Sequence, residues 1–177
     1  TTDKKIKNYS FFEDYKNFRN IKTYAINKKN LNDYLICLTS GSTNKPKPIV
    51  LSQKTKILRS IAARKLYNID KNDVVLTPSP LDHTLGQRIL LLPLLIGATS
   101  VVLNVFTSFN FYEAIKKHKV TFTILVPNQI NELINNKAEF KNFFLKKGIV
   151  SASSKLSKKL KKKLMKNKIK IYEMYGA

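Results

Sequence analysis

Acidic residues are scarce in this chain: 11 aspartates and glutamates stand against 33 lysines and arginines, leaving a formal charge of +22 over 177 residues. Such a field draws polyanions without selecting among them, so a polyanion-binding protein is one class that the composition leaves open. The excess is spread along the chain as lysine, with abundant asparagine and isoleucine, the pattern that an AT-rich coding sequence lays on solvated faces. Cysteine is nearly absent. Cys37 alone supports no disulfide framework, which points to a reducing compartment, and its place inside an apolar run makes it a packing residue rather than a nucleophile. Long apolar runs are missing too: Ile89 to Ile96 is too short to span a bilayer, and no signal peptide opens the chain. The expectation is a soluble, cytoplasmic protein. Because the chain begins Thr1-Thr2 without methionine, an extension ahead of it lies outside this reading.

An apolar share of 43% in 177 residues is enough for one sizeable core. The run Lys155 to Lys168 carries the densest positive charge, yet Leu156, Leu160 and Leu164 recur every four residues, and no aromatic is interleaved to stack bases. That is a solvated helix with one apolar stripe, so no specific nucleic-acid partner is expected.

The stretch around which the chain is organised is Leu38-Thr39-Ser40-Gly41-Ser42-Thr43-Asn44-Lys45-Pro46-Lys47-Pro48. Apolar runs flank it, Tyr34 to Leu38 ahead and Ile49 to Leu51 behind, and both read as buried strands. Hydroxyls and backbone N–H groups around Gly41 can converge on phosphate oxygens, because glycine admits the close approach and positive φ that an anion nest needs. Lys47 adds a mobile point charge, and Pro46 and Pro48 restrict the backbone from which its stem starts. The order of residues differs from the Gly-x-x-x-x-Gly-Lys-Ser/Thr phosphate loop, since no glycine follows Gly41 at five positions.

Behind this loop the periodicity predicts an alternation of elements. Ser52 is a candidate N-cap for a helix carrying Ile57, Leu58, Ile61, Ala62 and Leu66 on one side, whose positive N-terminus would lie near the loop and reinforce anion binding. Asp73 to Thr77 reads as a strand ended by Pro78-Ser79-Pro80, an apolar helix follows to Gly97, and Thr99 to Leu103 lies in a further buried strand. Phe109 to Lys117 reads as an amphipathic helix, Val120 to Val126 as a strand, and Pro127 as the start of another helix. Phe11, Phe12, Tyr15 and Phe18 are spaced for a short amphipathic helix in the polar and aromatic segment 1–32. The fold expected of residues 33–177 is α/β, a largely parallel sheet with helices on both faces.

Thr39-Ser40-Gly41-Ser42-Thr43-Asn44-Lys45-Pro46-Lys47 resembles the Thr-Ser-Gly-Ser/Thr-Thr-Gly-x-Pro-Lys-Gly signature of the adenylate-forming (AMP-binding) superfamily, which includes acyl- and aryl-CoA synthetases, amino-acid adenylation domains and firefly luciferase. Asn44 stands where glycine is usual and tolerates left-handed backbone. Pro48 replaces the glycine after the lysine, removing an N–H and fixing φ. Further along, Pro80-Leu81-Asp82-His83-Thr84-Leu85-Gly86 is similar to Pro-Leu-Phe-His-x-x-Gly, Val126-Pro127 to the start of a helix lining the acyl tunnel, and Ser151-Ala152-Ser153-Ser154-Lys155-Leu156-Ser157 to Ser/Thr-Gly-Gly-Ala/Glu-Pro-Leu-Ser. Tyr175-Gly176 matches the opening of Tyr-Gly-x-Thr-Glu.

The resemblance implies part of the large N-terminal domain of such an enzyme, with the C-terminal remainder absent and the 177-residue piece inactive alone. It implies that Thr39, Ser40, Gly41, Ser42, Thr43 and Lys47 hold the phosphates of ATP, with Mg2+ bridging and Thr43 as its protein ligand. His83 would lie beside the substrate carboxylate. Ala152, Ser153 and Ser154 would lie against the adenine, Tyr175 would stack on it, and Gly176 would admit the nucleotide. The implied reaction is ATP-dependent activation of a carboxylic acid as acyl-adenylate, followed by transfer to coenzyme A or a carrier-protein thiol. Asp82 keeps open an amino-acid adenylation domain, where an aspartate in this neighbourhood holds the substrate ammonium. Asn44, Pro48 and Ala152 keep open a noncatalytic, decayed nucleotide-binding module.

Overall fold

A computed structural model describes residues 33–39 and 47–174, without the side chains of 33–35, 37–39 and 47. All of these lie in the second of the two units into which the chain divides, Thr1–Leu31 and Asn32–Ala177. The amphipathic helix expected around Phe11 to Phe18 falls outside the described residues.

β1 (Asp33–Thr39) and β2 (Lys47–Ser52) form an antiparallel pair of their own, with Thr39 opposite Lys47. Thr39 and Lys47, the ends that flank residues 40–46, are therefore held side by side. The expectation that both strands are buried is corrected at the side chains described. Ile36, Ile49 and Val50 are 68%, 45% and 51% exposed, because no described element covers this two-stranded ribbon there; Leu51 alone is buried.

α1 (Gln53–Tyr67) starts where expected: Ser52 is its N-cap, with its Oγ accepting from the Thr55 N–H at 3.2 Å. The loop near which its positive end is expected falls outside the described residues. Its apolar side is not the buried one. Leu58, Ile61 and Leu66 are exposed, while Lys56, Ser60 and Tyr67 turn inward. Lys56 donates to Gln87 Oε1 at 3.2 Å, the Ser60 hydroxyl donates to the Lys56 carbonyl, and Tyr67 is the large apolar anchor.

The remaining strands, β3 (Val74–Thr77), β4 (Thr99–Val102), β5 (Phe122–Leu125), β6 (Gly148–Ser151) and β7 (Ile171–Glu173), make one parallel sheet in the order β4-β3-β5-β6-β7. The crossovers are α2 (Thr84–Ile96), α3 (Ser108–His118), α4 (Pro127–Asn135) with α5 (Lys137–Lys141), and α6 (Lys158–Lys166). Strand pleating sends alternate residues to opposite faces. Leu76, Leu125 and Ile149 meet Phe111, Tyr112, Ile130, Leu133, Phe140 and Leu164 from α3 to α6. Val75, Phe122, Ile124 and Val150 meet Tyr67 of α1 and Ile89 and Leu92 of α2. Each of these fully buried apolar side chains contributes about 1.5–3 kcal/mol. The α/β expectation thus holds, with one correction: β4 is an edge strand, part-exposed along its length, because it pairs with β3 alone among the described residues.

The strands are clasped at their amino ends by one buried carboxylate. Asp73, 3% exposed, accepts from the Asp70 N–H at 2.8 Å and the Thr121 hydroxyl at 2.8 Å, and Lys147 Nζ lies 3.6 Å away. Thr121 leads into β5 and Lys147 into β6, so the three strands share a register point. Asp73→Ala should cost about 1–3 kcal/mol, since it leaves the Asp70 N–H without its acceptor and takes one partner from the Thr121 hydroxyl and the Lys147 ammonium, which keep, respectively, the Val74 carbonyl and the Asn68 carbonyl with Asp70. Urea unfolding checks this; a loss under about 0.5 kcal/mol would mean that the clasp carries no stability.

Candidate functional site

Renumbered within the sheet, the strand order is 2-1-3-4-5, and the direction of winding reverses between β3 and β5. At such a reversal the chains leaving the two strands go to opposite faces, and a crevice opens outside their carboxyl ends. Four segments rim this edge here: Pro78 to His83 after β3, Val126 to Gln129 after β5, Ala152 to Ser154 after β6, and Met174 after β7.

His83 is the N-cap of α2 in extended conformation, but its side chain makes no capping hydrogen bond. Its main chain is fixed, with its N–H donating to the Pro80 carbonyl at 3.3 Å and its C=O accepting from Gln87 at 3.2 Å. The imidazole is therefore presented, exposed and unbonded within the described structure, on a tight turn. Gly86 sets that turn's position. A Cβ there would overlap the Pro80 carbonyl oxygen and come within 2.8 Å of the Ser79 carbonyl oxygen, so α2 approaches the loop backbone to backbone. Asp82 is exposed beside it.

Across the reversal, Gln129 joins the two loops. Its Oε1 accepts from the Val126 N–H at 3.0 Å and its Nε2 donates to the Pro78 carbonyl at 3.4 Å. Ala152 is buried and donates its N–H to the Leu125 carbonyl at 2.9 Å, after which Ser153 turns at φ 72°. That left-handed backbone is one that glycine adopts freely and serine at a cost of roughly 1 kcal/mol. Ser153 and Ser154 are exposed. The hydroxyls of Thr77 and Ser151, at the ends of β3 and β6, are buried without a partner among the described residues.

Helix N-termini gather at this edge. α2, α4 and α6 begin there because they follow strands directly, and α1 begins beside α2, as the Lys56 to Gln87 bond requires. None of the four has an acidic residue in its first turn, though the Glu173 carboxylate accepts from the Leu156 N–H just ahead of α6; α3 begins at this edge too, where the Ser108 N–H donates to Glu132 Oε1 at 2.8 Å.

Behind the edge, on the face carrying α1 and α2, lies a half-enclosed groove of about 230 Å3 lined mostly by apolar side chains. Leu66, Tyr67, Leu92, Ile124 and Met174 wall it, and Arg59 and Arg88 line it. Arg88 Nη1 donates to Met174 Sδ at 2.8 Å. Burial, and then repulsion from Arg59, hold the Arg88 guanidinium below its usual pKa. Sequence reasoning missed Gln129 and both arginines. A lone arginine in the apolar run Ile89 to Ile96's approach, Leu85-Gly86-Gln87-Arg88, is a signal for one of them; Arg59 and Gln129 carry none.

Of the residues expected to form the site, His83, Ala152, Ser153 and Ser154 sit on the one edge. Thr39 and Lys47 are seen as the paired ends of the hairpin, backbone only. Ser40, Gly41, Ser42, Thr43, Tyr175 and Gly176 lie outside the described residues. Among the described residues no three His, Cys, Asp or Glu side chains gather where a metal could be held.

A family model described as AMP-binding enzyme matches residues 4–177. Indoleacetate–CoA ligase of Aromatoleum aromaticum is 36% identical over 101 residues, 56% of this chain and 20% of the relative. The 2-succinylbenzoate–CoA ligase of Arabidopsis thaliana is 30% identical over 115 residues, 65% of this chain and 20% of the relative. Among solved structures, O-succinylbenzoate coenzyme A synthetase of Bacillus subtilis in complex with AMP superposes with TM-score 0.71 at 20% identity, covering 80% of this chain and 36% of that one. The Klebsiella oxytoca NpsA N-terminal subdomain in complex with 3-hydroxybenzoyl-AMSN gives TM-score 0.73 at 19% identity, over 83% of this chain and 38% of that one. The chain thus spans about a fifth of these curated relatives.

Gly86→Ala should cost about 1–3 kcal/mol and displace the turn that presents His83, read as a shift of the His83 imidazole resonances in NMR. Gly97→Ala is the control, since a Cβ there meets nothing within 4 Å although φ is 73°. It should lower stability and leave those resonances in place; equal shifts in both variants would contradict the assignment.

Proposed function

The chain belongs to the AMP-binding enzyme family, and from that premise we propose that it supplies part of the N-terminal domain of a ligase that activates a carboxylic acid with ATP. The acid's oxygen attacks the α-phosphorus and pyrophosphate leaves; the thiol of coenzyme A then attacks the acyl carbon of the acyl-adenylate, forming the thioester and releasing AMP and the thiol proton. The observation that carries this reading is the gathering of His83 and the Ala152 to Ser154 turn at one sheet edge, beside the end of β7 from which Tyr175 and Gly176 follow.

In this scheme the edge receives the adenylate. His83, with no hydrogen bond of its own to break, orients the carboxylate as it attacks. The turn at Ser153 leaves backbone rather than bulk to face adenine, and Tyr175 and Gly176 complete that side. Thr39, Ser40, Gly41, Ser42, Thr43 and Lys47 hold the β- and γ-phosphates and neutralise the charge that grows on the leaving group. Positioning does the rest, since the substrates bring the reacting atoms themselves. Thr43 would hold Mg2+, which when bound supplies charge neutralisation. A hydroxyl from Thr43 together with phosphate oxygens fits an ion that keeps several waters and needs few protein ligands. Asp82, exposed beside His83, sustains the second reading, an amino-acid substrate whose ammonium it would hold.

Lys47→Ala in the ligase should lower carboxylate-dependent pyrophosphate exchange by about 10²-fold or more, in line with loss of one preorganised donor to developing charge. An unchanged rate would remove the phosphate role. The 177-residue chain alone should show no exchange, and turnover by it would overturn the assignment of this chain as one part of the catalytic unit.

A further inference from the structure

The groove under α1 and α2 holds an electrostatic imbalance that the adenylate reading leaves unused. Three of the four crossovers in the parallel sheet, through α3, α4 with α5, and α6, pack on one face, and α2 alone covers the other, helped by α1. Among the described residues the less covered face carries a groove that reaches down to the buried Ile124, with the half-buried Met174 at its side. Two guanidinium groups line its apolar walls. Neither Arg59 nor Arg88 belongs to any ion pair among the described residues. Arg88 carries five N–H donors and satisfies one of them on a thioether, a weak acceptor.

Arg88 is part-buried beside the apolar cavity and lacks an anion, which costs it hydration, and the exposed Arg59 adds a second positive charge at the groove's rim. An acceptor placed between them would reverse both effects. Guanidinium selects a planar carboxylate above other anions of the same charge by its paired donors. Whole-ligand sites usually measure about 300–1,000 Å3. At about 230 Å3 the groove suits one end of a ligand. Its distance from the reacting centre fits the same picture: Arg88 follows His83 by five residues on α2, an axial offset of roughly 7–8 Å.

Resting on the adenylate reading for the location of the reacting carboxylate, we propose that the substrate acid bears a second carboxylate, held by Arg88 and Arg59 at the groove. Its apolar middle lies along Leu92, Ile124 and Met174. Arg88 and Arg59 are then specificity-determining residues, and the monoacid of the same length is the disfavoured substrate.

The test is calorimetric titration of the protein with suberate and with octanoate, acids of equal chain length that differ in the distal carboxylate, alongside a titration with AMP. Suberate should bind about tenfold tighter or more, Arg88→Gln should bring the two acids within about twofold of each other, and octanoate affinity should be unchanged in that variant. Arg59→Gln, an exposed substitution that leaves the core intact, should narrow the ratio in the same direction and decides the matter if Arg88→Gln does not fold. Equal binding of the two acids, no binding of either, or a preference that survives both substitutions overturns the proposal. AMP separates this outcome from the broader one. AMP binding with no preference for suberate sinks the second carboxylate and spares the adenylate reading, while a suberate preference without AMP binding does the reverse.

Discussion

Every strand of the five-stranded sheet runs the same way, so every connection must return across a face, and right-handed crossover fixes which face each one takes. From that constraint the rest follows. Moving outward to β4 sends α2 to one face, and moving back past β3 sends α3, α4, α5 and α6 to the other. The reversal opens a crevice at the carboxyl ends of β3 and β5, and four helices without an acidic first-turn residue begin at the same edge. The stabilising clasp of Asp73, Thr121 and Lys147 sits at the opposite, amino edge. The clasp and the proposed site thereby lie at opposite edges of the sheet.

Local signals made most of this legible before any coordinates. Ser52 as a cap, Pro78-Ser79-Pro80 as a stop, Gly97 as a C-cap with positive φ and Pro127 at a helix start all act within a few residues, and each appears where its chemistry demands. Gly86 was readable as part of a motif; its physical reason, a backbone touching the Pro80 carbonyl, belongs to the fold. The small-residue turn after β6 likewise keeps a glycine-like conformation at Ser153 although the glycines themselves are replaced.

What sequence could not supply depends on neighbours distant in the chain. Burial of a strand is decided by what stacks on it, so the apolar runs in β1, β2 and β4 suggested cores that the topology leaves part-open. Helix α1 shows the same limit: its periodicity gathers leucine and isoleucine on one side, yet Lys56, Ser60 and Tyr67 turn inward, since Gln87 and the Tyr67 partners Phe122 and Tyr172 lie there. Arg59 and Arg88 are 29 positions apart and meaningful only as a pair across one groove.

The central claim is that the carboxyl edge, between β3 and β5, is where an acyl-adenylate binds. Hydrogen exchange with and without a non-hydrolysable acyl-adenylate analogue measures this directly. The account predicts slowed exchange in the segments 79–88, 126–129 and 152–154, with the Asp70 to Asp73 turn and α6 unaffected. Protection confined to the lysine-rich α6, or none at the three rim segments, would contradict it.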